Sequence, residues 1–380
     1  MKQLFYAGVL GLILFEISNV YFIMPMPGSQ DMNSVDLAYF LHAWRWGFRG
    51  VFGAMILAGV RPAFKASVVF STVFLIALLA IAYMANFKMA AETMFLQPRH
   101  LRLSSLADNA VDTSRIILGV EHHGQAKAYP IQFLGYHHQV FDTLGGKPIM
   151  VTYCTVCRTG RVFEPTVNGK TERFRLVGMD HFNAMFEDKT TKSWWRQETG
   201  EAVAGKLKGQ ALPEMSSVQM ALSQWLSLFP ESLIMQADSS FQAEYDSLSN
   251  YESGRRNGKL TRRDTLPWRD KSWIAGISLD GESKAYDWIA LEKVGMIHDV
   301  VGKQPIAILL ADDHKSLVAF RRANPAQTFT WRNDTLTDGQ HSYNLMGVSF
   351  DPATPNLTRI NVYQEYWHSW RTFHPGTKTY

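Results

Sequence analysis

The sequence predicts an N-terminal α-helical transmembrane region followed by a mainly β (α+β) soluble part that is made of two homologous β-rich modules. Three observations predict this fold class. Three long apolar runs lie in the first quarter of the 380 residues. Two later segments align with each other without a gap. Within both segments, short apolar runs alternate with turn-forming residues, which is typical of β-hairpins.

The apolar runs, 4–24, 47–60 and 67–85, predict a membrane anchor of three helices within residues 1–87. A spanning helix needs about 20 mostly apolar residues, and the second run reaches that length only if Trp44 and Arg49 lie at the membrane interface. Lys2, Arg61 and Lys65 flank the spans on one side, and the positive-inside rule places that side in the cytoplasm. We therefore expect an inner-membrane protein with extracytoplasmic soluble modules. No small-residue cleavage pattern follows the first run, which favours an anchor over a cleaved signal peptide.

The aligned segments are 116–163 and 273–320, and their offset is constant. Lys127-Ala128-Tyr129 in the first segment recurs as Lys284-Ala285-Tyr286 in the second. An internal repeat of this kind predicts two copies of one structural unit. We expect a first module at 88–238, a polar connector at 239–270, and a second, cysteine-free module at 271–380.

Each module is predicted to be a curved sheet covered by one helix. Residues 116–120 and 125–129 flank a His-Gly turn, and 139–144 and 148–153 flank a Gly-Gly turn, so each pair predicts a hairpin. Residues 185–187 and 193–197 are expected to pair next. Residues 216–229 have apolar positions at helical spacing and end before Pro230, which predicts the covering helix.

The only two cysteines, Cys154 and Cys157, form a Cys-x-x-Cys motif that the second segment lacks. If the strands around the Gly-Gly turn pair antiparallel, His137 and His138 lie beside Cys154. Two thiolates and one or two imidazoles suit zinc, copper or iron, and His181 is a candidate for a further ligand. The primary hypothesis is therefore a transition-metal site that binds metal or performs a metal-assisted redox step.

Two alternatives stay open at this stage: a thiol–disulfide oxidoreductase, and a non-catalytic binding or scaffold module with a structural disulfide. The residues expected to line a pocket are Tyr153, Arg158, Thr159, Trp195, Arg196 and Gln197. Arg158 follows the motif where c-type haem attachment needs histidine, and the sequence has no Gly-rich phosphate loop or other nucleotide or flavin signal. The net charge of +4 does not indicate nucleic-acid binding. The expected partners are the lipid bilayer and a small molecule or protein that the sequence does not identify.

Residues 151–163, VTYCTVCRTGRVF, resemble the VTYCPLCxTGxVF core of the domain-of-unknown-function family numbered 3179. Residues 124–130, 193–202 and 373–377 are similar to the other blocks of that family. In this chain Thr155 replaces the usual proline after the first cysteine, and His137 matches the family's usual histidine. The resemblance implies an architecture and candidate positions, but it implies no reaction.

Overall fold

The computed structural model describes residues 1–254 and 268–380. The chain forms two compact units, and each is described by itself. The first contains Met1–Leu96 and Glu172–Ala211, and the second contains Gln97–Thr171 and Leu212–Tyr380. This grouping differs from the predicted domain ranges, because 172–211 groups with the N-terminal helices. The predicted domain boundaries stay predictions.

The first unit combines helices with a small sheet. Its helices are α1 Lys2–Tyr21, α2 Val35–Ala43, α3 Arg45–Ala66, α4 Val68–Tyr83 and α5 Ala91–Met94, with a 3₁₀ turn at Ser29–Asp31 and a π-helical turn at Met84–Lys88. Its strands form one antiparallel sheet in the order β12-β11-β10-β9, with β9 Phe174–Asp180, β10 Asn183–Asp188, β11 Trp194–Arg196 and β12 Ala202–Ala204. The pairing of β10 with β11 confirms the expected pairing of 185–187 with 193–197.

Two helices are long and apolar enough to cross a membrane: Lys2–Tyr21 and the continuous helical stretch Val68–Lys88. The first lies at the N-terminus, where a signal sequence has the same length and composition. The third predicted span, α3, is a helix of 22 residues, but four basic residues lower its apolarity. The prediction of three apolar spans is therefore met by two helices.

Polar groups from three different helical segments meet inside the helical part. Arg49 donates to both carboxylate oxygens of Glu16, at 2.7 and 2.9 Å. Asn86 donates to Glu16 Oε2 at 2.8 Å and accepts from Arg49 at 2.7 Å. Glu16 is only 3% exposed, so this network provides the partners that a buried carboxylate requires. It ties α1 to α3 and to the end of the α4 stretch.

The second unit contains the two aligned segments, which form the same succession of elements. The first segment contains β2 Ile116–His122, β3 Gln125–Pro130, α6 Ile131–His137, β4 Gln139–Leu144, β5 Lys147–Cys154 and β6 Thr159–Phe163, and then β13 Val218–Ala221, α7 Leu222–Leu228 and β14 Leu233–Met235. The second contains β15 Trp273–Leu279, β16 Glu282–Asp287, α9 Trp288–Val294, β17 Met296–Val301, β18 Gln304–Leu310 and β19 Leu317–Arg321, and then β24 Tyr363–Tyr366, α10 Trp367–Phe373 and β25 Lys378–Thr379. Short elements complete the unit: β1 Leu103–Ser104, β7 Thr166–Val167, β8 Lys170–Thr171, α8 Gln242–Ser247, β20 Thr330–Arg332, β21 Thr335–Thr337, β22 Ser342–Tyr343 and β23 Arg359–Ile360.

The turns of the first hairpins explain why both segments begin alike. The β2–β3 turn is His123-Gly124, with φ values of 50° and 75°, and the β15–β16 turn is Asp280-Gly281, with 52° and 77°. Two-residue turns with positive φ at both positions match the twist of the flanking strands, and glycine reaches such φ without steric strain. The two predicted hairpins are confirmed by the registers of β2 with β3 and of β4 with β5.

The two segments also share specific side-chain contacts. Tyr129 donates to Asp142 at 2.7 Å, and Tyr286 donates to Asp299 at 2.8 Å. A lysine pairs with the same carboxylate in each case. In both segments a buried tryptophan on the covering helix donates its indole N–H to a hydroxyl seven positions later. The same elements therefore pack through the same contacts twice.

Strands from the two segments share one sheet, so the segments do not form separate sheets of their own. The long sheet has the order β1-β14-β3-β2-β13-β19-β18-β17, so the β17–β19 strands of the second segment continue the sheet of the first. The strands β24-β15-β16-β25 form a separate sheet, and β4-β5-β6 form another. The backbone N–H of Tyr366 on β24 donates to the carbonyl of Cys157 at 2.9 Å. The cysteine-bearing hairpin thus lies against the second segment.

Two predicted features need correction. The helix expected at 216–229 begins only at Leu222, because Val218–Ala221 pairs with β2 as a strand. The expected polar connector is partly core, since Phe241, Tyr245 and Leu248 are buried. Their spacing of four and three residues places them on one helical face. Residues 255–267 of the connector lie outside the described residues.

Candidate functional site

The candidate site is the tight turn that joins β5 to β6. Cys154 and Thr159 form the last residue pair of this antiparallel hairpin, so four residues make the turn. Arg158 has a φ of 58°, which is uncommon for a residue with a side chain. The turn therefore brings Cys157 back toward Cys154.

Both thiols are fully buried and are not joined by a disulfide. Burial, followed by a hydrogen bond with Cys154, raises the pKa of Cys157 well above its ordinary value. The hydroxyl of Ser369 also hydrogen-bonds Cys157 and acts in the opposite direction. Ser369 donates in addition to the buried carboxylate of Glu365 at 2.5 Å. The site thus contains two buried thiols with a hydroxyl and a carboxylate beside them.

A lysine and a histidine from the second segment close the turn from the other side. Lys271 Nζ donates to the carbonyl oxygen of Val156 and to His368 Nε2, the latter at 3.0 Å. His368 Nε2 lies 3.0 Å from the same carbonyl oxygen. The ammonium also lies 4.5 Å from the ring centroid of Tyr366, in the arrangement of a cation–π contact. These contacts fix a positive charge at the centre of the Cys-x-x-Cys turn.

The electrostatics of this pair follow from burial. Burial lowers the pKa of Lys271, and the two cysteines act against that shift. Burial, followed by the charge of Lys271, lowers the pKa of His368 to about 3. His368 is therefore neutral near pH 7. Lys271 is the cation whose charge favours thiolates at Cys154 and Cys157.

Two buried arginines hold the hairpin against the second segment. Arg158 donates from Nε to Gln364 at 3.0 Å, and its guanidinium lies 3.7 Å from the ring centroid of Trp273. Arg161 stacks 3.4 Å from the ring centroid of Tyr363. Arg161 also donates to Thr159 Oγ1 at 2.6 Å, so the predicted pocket residues Arg158 and Thr159 shape the turn.

The histidines expected as metal ligands have other contacts. β4 and β5 pair antiparallel, with Gln139 opposite Thr152, so His137 and His138 do lie near the end of β5 as predicted. His137 Nε2 is 2.6 Å from the hydroxyl of Tyr245, inside an aromatic cluster.

His138 ends α6 with a φ of 61°, where the second segment has Gly295. Its Nδ1 lies 3.0 Å from the carbonyl oxygen of Tyr136. Burial lowers the pKa of His138 to about 4. A histidine at a backbone conformation that favours glycine is strained. Its carbonyl oxygen accepts from the backbone N–H of Tyr153 at 3.0 Å, which links the end of α6 to β5.

Of the remaining predicted residues, all but Tyr153 belong to the first compact unit. Arg196 pairs with Asp180, which also lies 2.5 Å from His181 Nδ1. Trp195 and Gln197 are buried in the same sheet. Tyr153 belongs to the second unit, with its hydroxyl 3.5 Å from that of Tyr251. Across residues 1–254 and 268–380, no three His, Cys, Asp or Glu side chains converge as metal ligands would.

A family model described as "Protein of unknown function (DUF3179)" matches residues 97–377. The chain belongs to the DUF3179 family. No curated protein and no solved structure matches the chain. The match contains the Cys-x-x-Cys hairpin and the residues of the second segment that cover it.

Sequence reasoning missed half of this DUF3179 site, because that half comes from the second segment. The missed residues are Lys271, Glu365, His368 and Ser369. A usable signal was present in the repeat itself. When Trp225 is aligned with Trp370, the apolar Met220 corresponds to Glu365. The structure supports this alignment, because Met220 pairs with Ile117 on β2 and Glu365 pairs with Ile274, the corresponding residue on β15. The second segment thus carries a buried acid where the first has a methionine.

Proposed function

We propose that this protein is a membrane-anchored dithiol–disulfide redox protein, with Cys154 and Cys157 as the redox couple. One observation carries the proposal: two hydrogen-bonded thiols share one tight turn, and Lys271 and His368 are fixed on that turn. Cys-x-x-Cys spacing allows the two sulfurs to form a disulfide with little backbone movement. The lysine supplies a positive charge that favours the attacking thiolate.

The reaction we propose is reversible exchange with a substrate disulfide. One cysteine loses its proton to solvent as the substrate enters and attacks a sulfur of the substrate disulfide, which forms a mixed disulfide and releases one substrate thiolate. The second cysteine then attacks the protein sulfur of that bond. The products are the Cys154–Cys157 disulfide and a substrate with two thiols, after the released thiolates take up the two cysteine protons. Because both sulfurs are buried, the covering residues Tyr363–Phe373 must move to admit the substrate.

We also propose the placement and origin of this site. The exposed apolar side chains of α4, including Val69 and Leu79, favour insertion of the helical part into a lipid bilayer. Three spans, with α3 between the two apolar helices, would place the soluble part outside the cytoplasm, where disulfide chemistry is common. The matching registers and contacts of the two segments favour a duplication that produced two homologous modules.

The redox proposal is tested by counting thiols in the full-length protein in an uncharged detergent. The protein is equilibrated with dithiothreitol or glutathione buffers, quenched in acid, denatured and labelled with a maleimide mass tag. We expect a single transition between two labels and none, at a potential within about −270 to −120 mV, the range of dithiol oxidoreductases. Cys154→Ser and Cys157→Ser should each remove the transition.

Lys271→Met tests the role of the positive charge. We expect slower alkylation of the thiols by iodoacetamide and an alkylation rate that rises only at higher pH. Arg332→Gln is the matched control, because Arg332 is an exposed cation on β20 in the same compact unit. A disulfide with a potential below about −300 mV, which is typical of structural bonds, would refute the redox proposal. If the thiols of Lys271→Met and of the wild type are alkylated at the same rate, Lys271 has no part in the proposed reaction.

The metal-site hypothesis stays a prediction and has its own readout. Metal content is measured on anaerobically purified protein, with Cys154→Ser as the comparison. Nearly one equivalent of copper, iron or zinc that is lost in the variant would favour a metal centre over the redox couple. A non-catalytic scaffold instead predicts that the double Cys→Ser variant loses only stability.

A further inference from the structure

A cavity of 530 Å³ lies within the first compact unit, at one end of the helical part. Its walls come from the end of α1, from α2, from the start of α3, from the residues after α4 and from the edge of the small sheet. This volume falls within the range of small-molecule sites, roughly 300–1,000 Å³. The five charged residues that line it are Arg45, Arg175, Lys192, Glu92 and Glu187.

The two carboxylates of the cavity are already engaged by one arginine. Arg175 donates from Nε to Glu187 at 2.9 Å and from Nη1 to Glu92 at 3.1 Å. Glu187 also accepts from the indole N–H of Trp194 at 3.1 Å. Lys192 Nζ lies at the longer distance of 3.9 Å from Glu187, and its side chain is 60% exposed. Three cations and two carboxylates leave the cavity with one excess positive charge.

Arg45 carries that excess charge. Its Nη1 donates to the backbone carbonyl of His42 at 2.6 Å. Among the described residues, no carboxylate lies within ion-pair distance of its guanidinium. The carboxylate of Glu187 acts on this guanidinium only across the cavity, without a direct contact, and the planar set of donors matches phosphate oxygens. The cavity therefore has one position suited to a bound anion.

Apolar side chains from the ends of the two candidate spans also line the cavity. Val20 and Ile23 come from the end of α1 and the residues after it, and Ala85 and Met89 come from the end of the α4 stretch. An arginine beside the apolar ends of two membrane helices is placed at the depth of lipid head groups. A phospholipid has both a phosphate that matches Arg45 and acyl chains that match the apolar side chains. A soluble anion would contact only the arginine.

We propose that this cavity binds a membrane phospholipid, with Arg45 as the residue that contacts the phosphate. The inference rests on the membrane placement in the proposed function and does not depend on the thiol reaction. Lys192, at the exposed side of the cavity, adds a second positive charge near the head group. Basic pockets between membrane helices bind anionic head groups in the same way.

The test uses the full-length protein, delipidated in an uncharged maltoside detergent and titrated with dihexanoyl-phosphatidylglycerol. Binding is followed by native mass spectrometry and calorimetry. We expect one lipid per chain and an affinity that falls at least about tenfold in Arg45→Gln, because a charged hydrogen bond is lost. Lys192→Gln should weaken binding less, and since its side chain is mostly exposed, it tests the site without the risk of unfolding.

Arg61→Gln is the matched control, because Arg61 is exposed at the opposite end of α3. Equal loss in Arg45→Gln and Arg61→Gln would show general attraction to lipid and overturn the proposal. Inorganic phosphate or glycerol phosphate binding as tightly as the lipid would overturn the lipid assignment. A chain that fractionates with membranes but binds lipid equally well in wild type and both cavity variants would refute this inference and leave the proposed anchoring intact.

Discussion

Acid should destabilise the second compact unit through two buried histidines. Burial lowers the pKa of His368 to about 3 and that of His138 to about 4. Both side chains are less than a tenth exposed, at 8% and 2%. Each ring therefore stays neutral in the folded protein at a pH where the unfolded chain has already bound a proton.

The sign and size follow from proton linkage. Below pH 6.5 the unfolded state binds more protons than the folded state, so the free energy of unfolding falls as the pH falls. The loss begins near pH 6.5 and levels off only below the folded pKa values, near pH 4 and pH 3. At pH 5 each histidine costs about 2 kcal/mol relative to pH 8, or about 4 kcal/mol for both.

The assay is urea unfolding of the full-length protein in detergent at pH 8 and pH 5, followed by tryptophan fluorescence. His368→Gln keeps a polar side chain but does not titrate, so the pH-dependent loss should shrink to about 2 kcal/mol. His100→Gln is the control, because His100 is exposed in the same unit. An unchanged pH dependence in His368→Gln would refute the assignment of a buried neutral imidazole.

Two further predictions concern packing and a buried charge. Gly119→Ala places a Cβ 2.5 Å from the ring of Trp225 and should destabilise the second unit by about 1–3 kcal/mol in thermal unfolding, whereas Gly50→Ala, with open space around it, should not. Arg49→Gln leaves the carboxylate of Glu16 buried without its cation and should cost roughly 3 kcal/mol, measured as loss of folded protein in detergent. Arg49→Lys should recover part of that loss, and equal yields of all three proteins would contradict the role given to the ion pair.

The hairpins were predictable because their signals are local. The His-Gly and Gly-Gly turns fix both position and register, and apolar runs on each side supply the strands. The same local geometry predicted correctly that His137 and His138 lie beside the end of β5. The metal hypothesis added an assumption about side-chain direction. The structure shows His137 in contact with Tyr245, a residue more than 100 positions away that the sequence places in a polar connector, and the metal hypothesis stays a prediction.

The second half of the site was not predictable from the motif alone. Lys271 and Glu365 approach the cysteines only because the β4–β6 hairpin lies against the second segment. The sequence of a strand does not show which of the two aligned segments supplies its neighbour, since the strand has the same composition in either case. Comparing the repeats did identify the cysteines as a difference, and extending that comparison to the covering helices identifies Glu365 as well.

The helical part shows the limit of apolarity as a criterion. α3 carries four basic residues and does not pass as a span on composition, yet one of them, Arg49, has its partner in Glu16 of α1. A hydropathy average assigns every charged residue the full free-energy cost of insertion into the membrane. A charge that pairs with a residue of another helix has a lower cost. A contact between helices is therefore needed to judge the third predicted span.

The cover over the thiols also sets an order of events during biosynthesis. The contact between Arg158 and Gln364 joins residues 206 positions apart in the chain. A ribosome that has just completed the cysteine hairpin still has to make the whole second segment before Tyr366 and Ser369 exist. During that interval Cys154 and Cys157 lack this cover, so the surroundings of the growing chain act on their oxidation state before the second segment protects them.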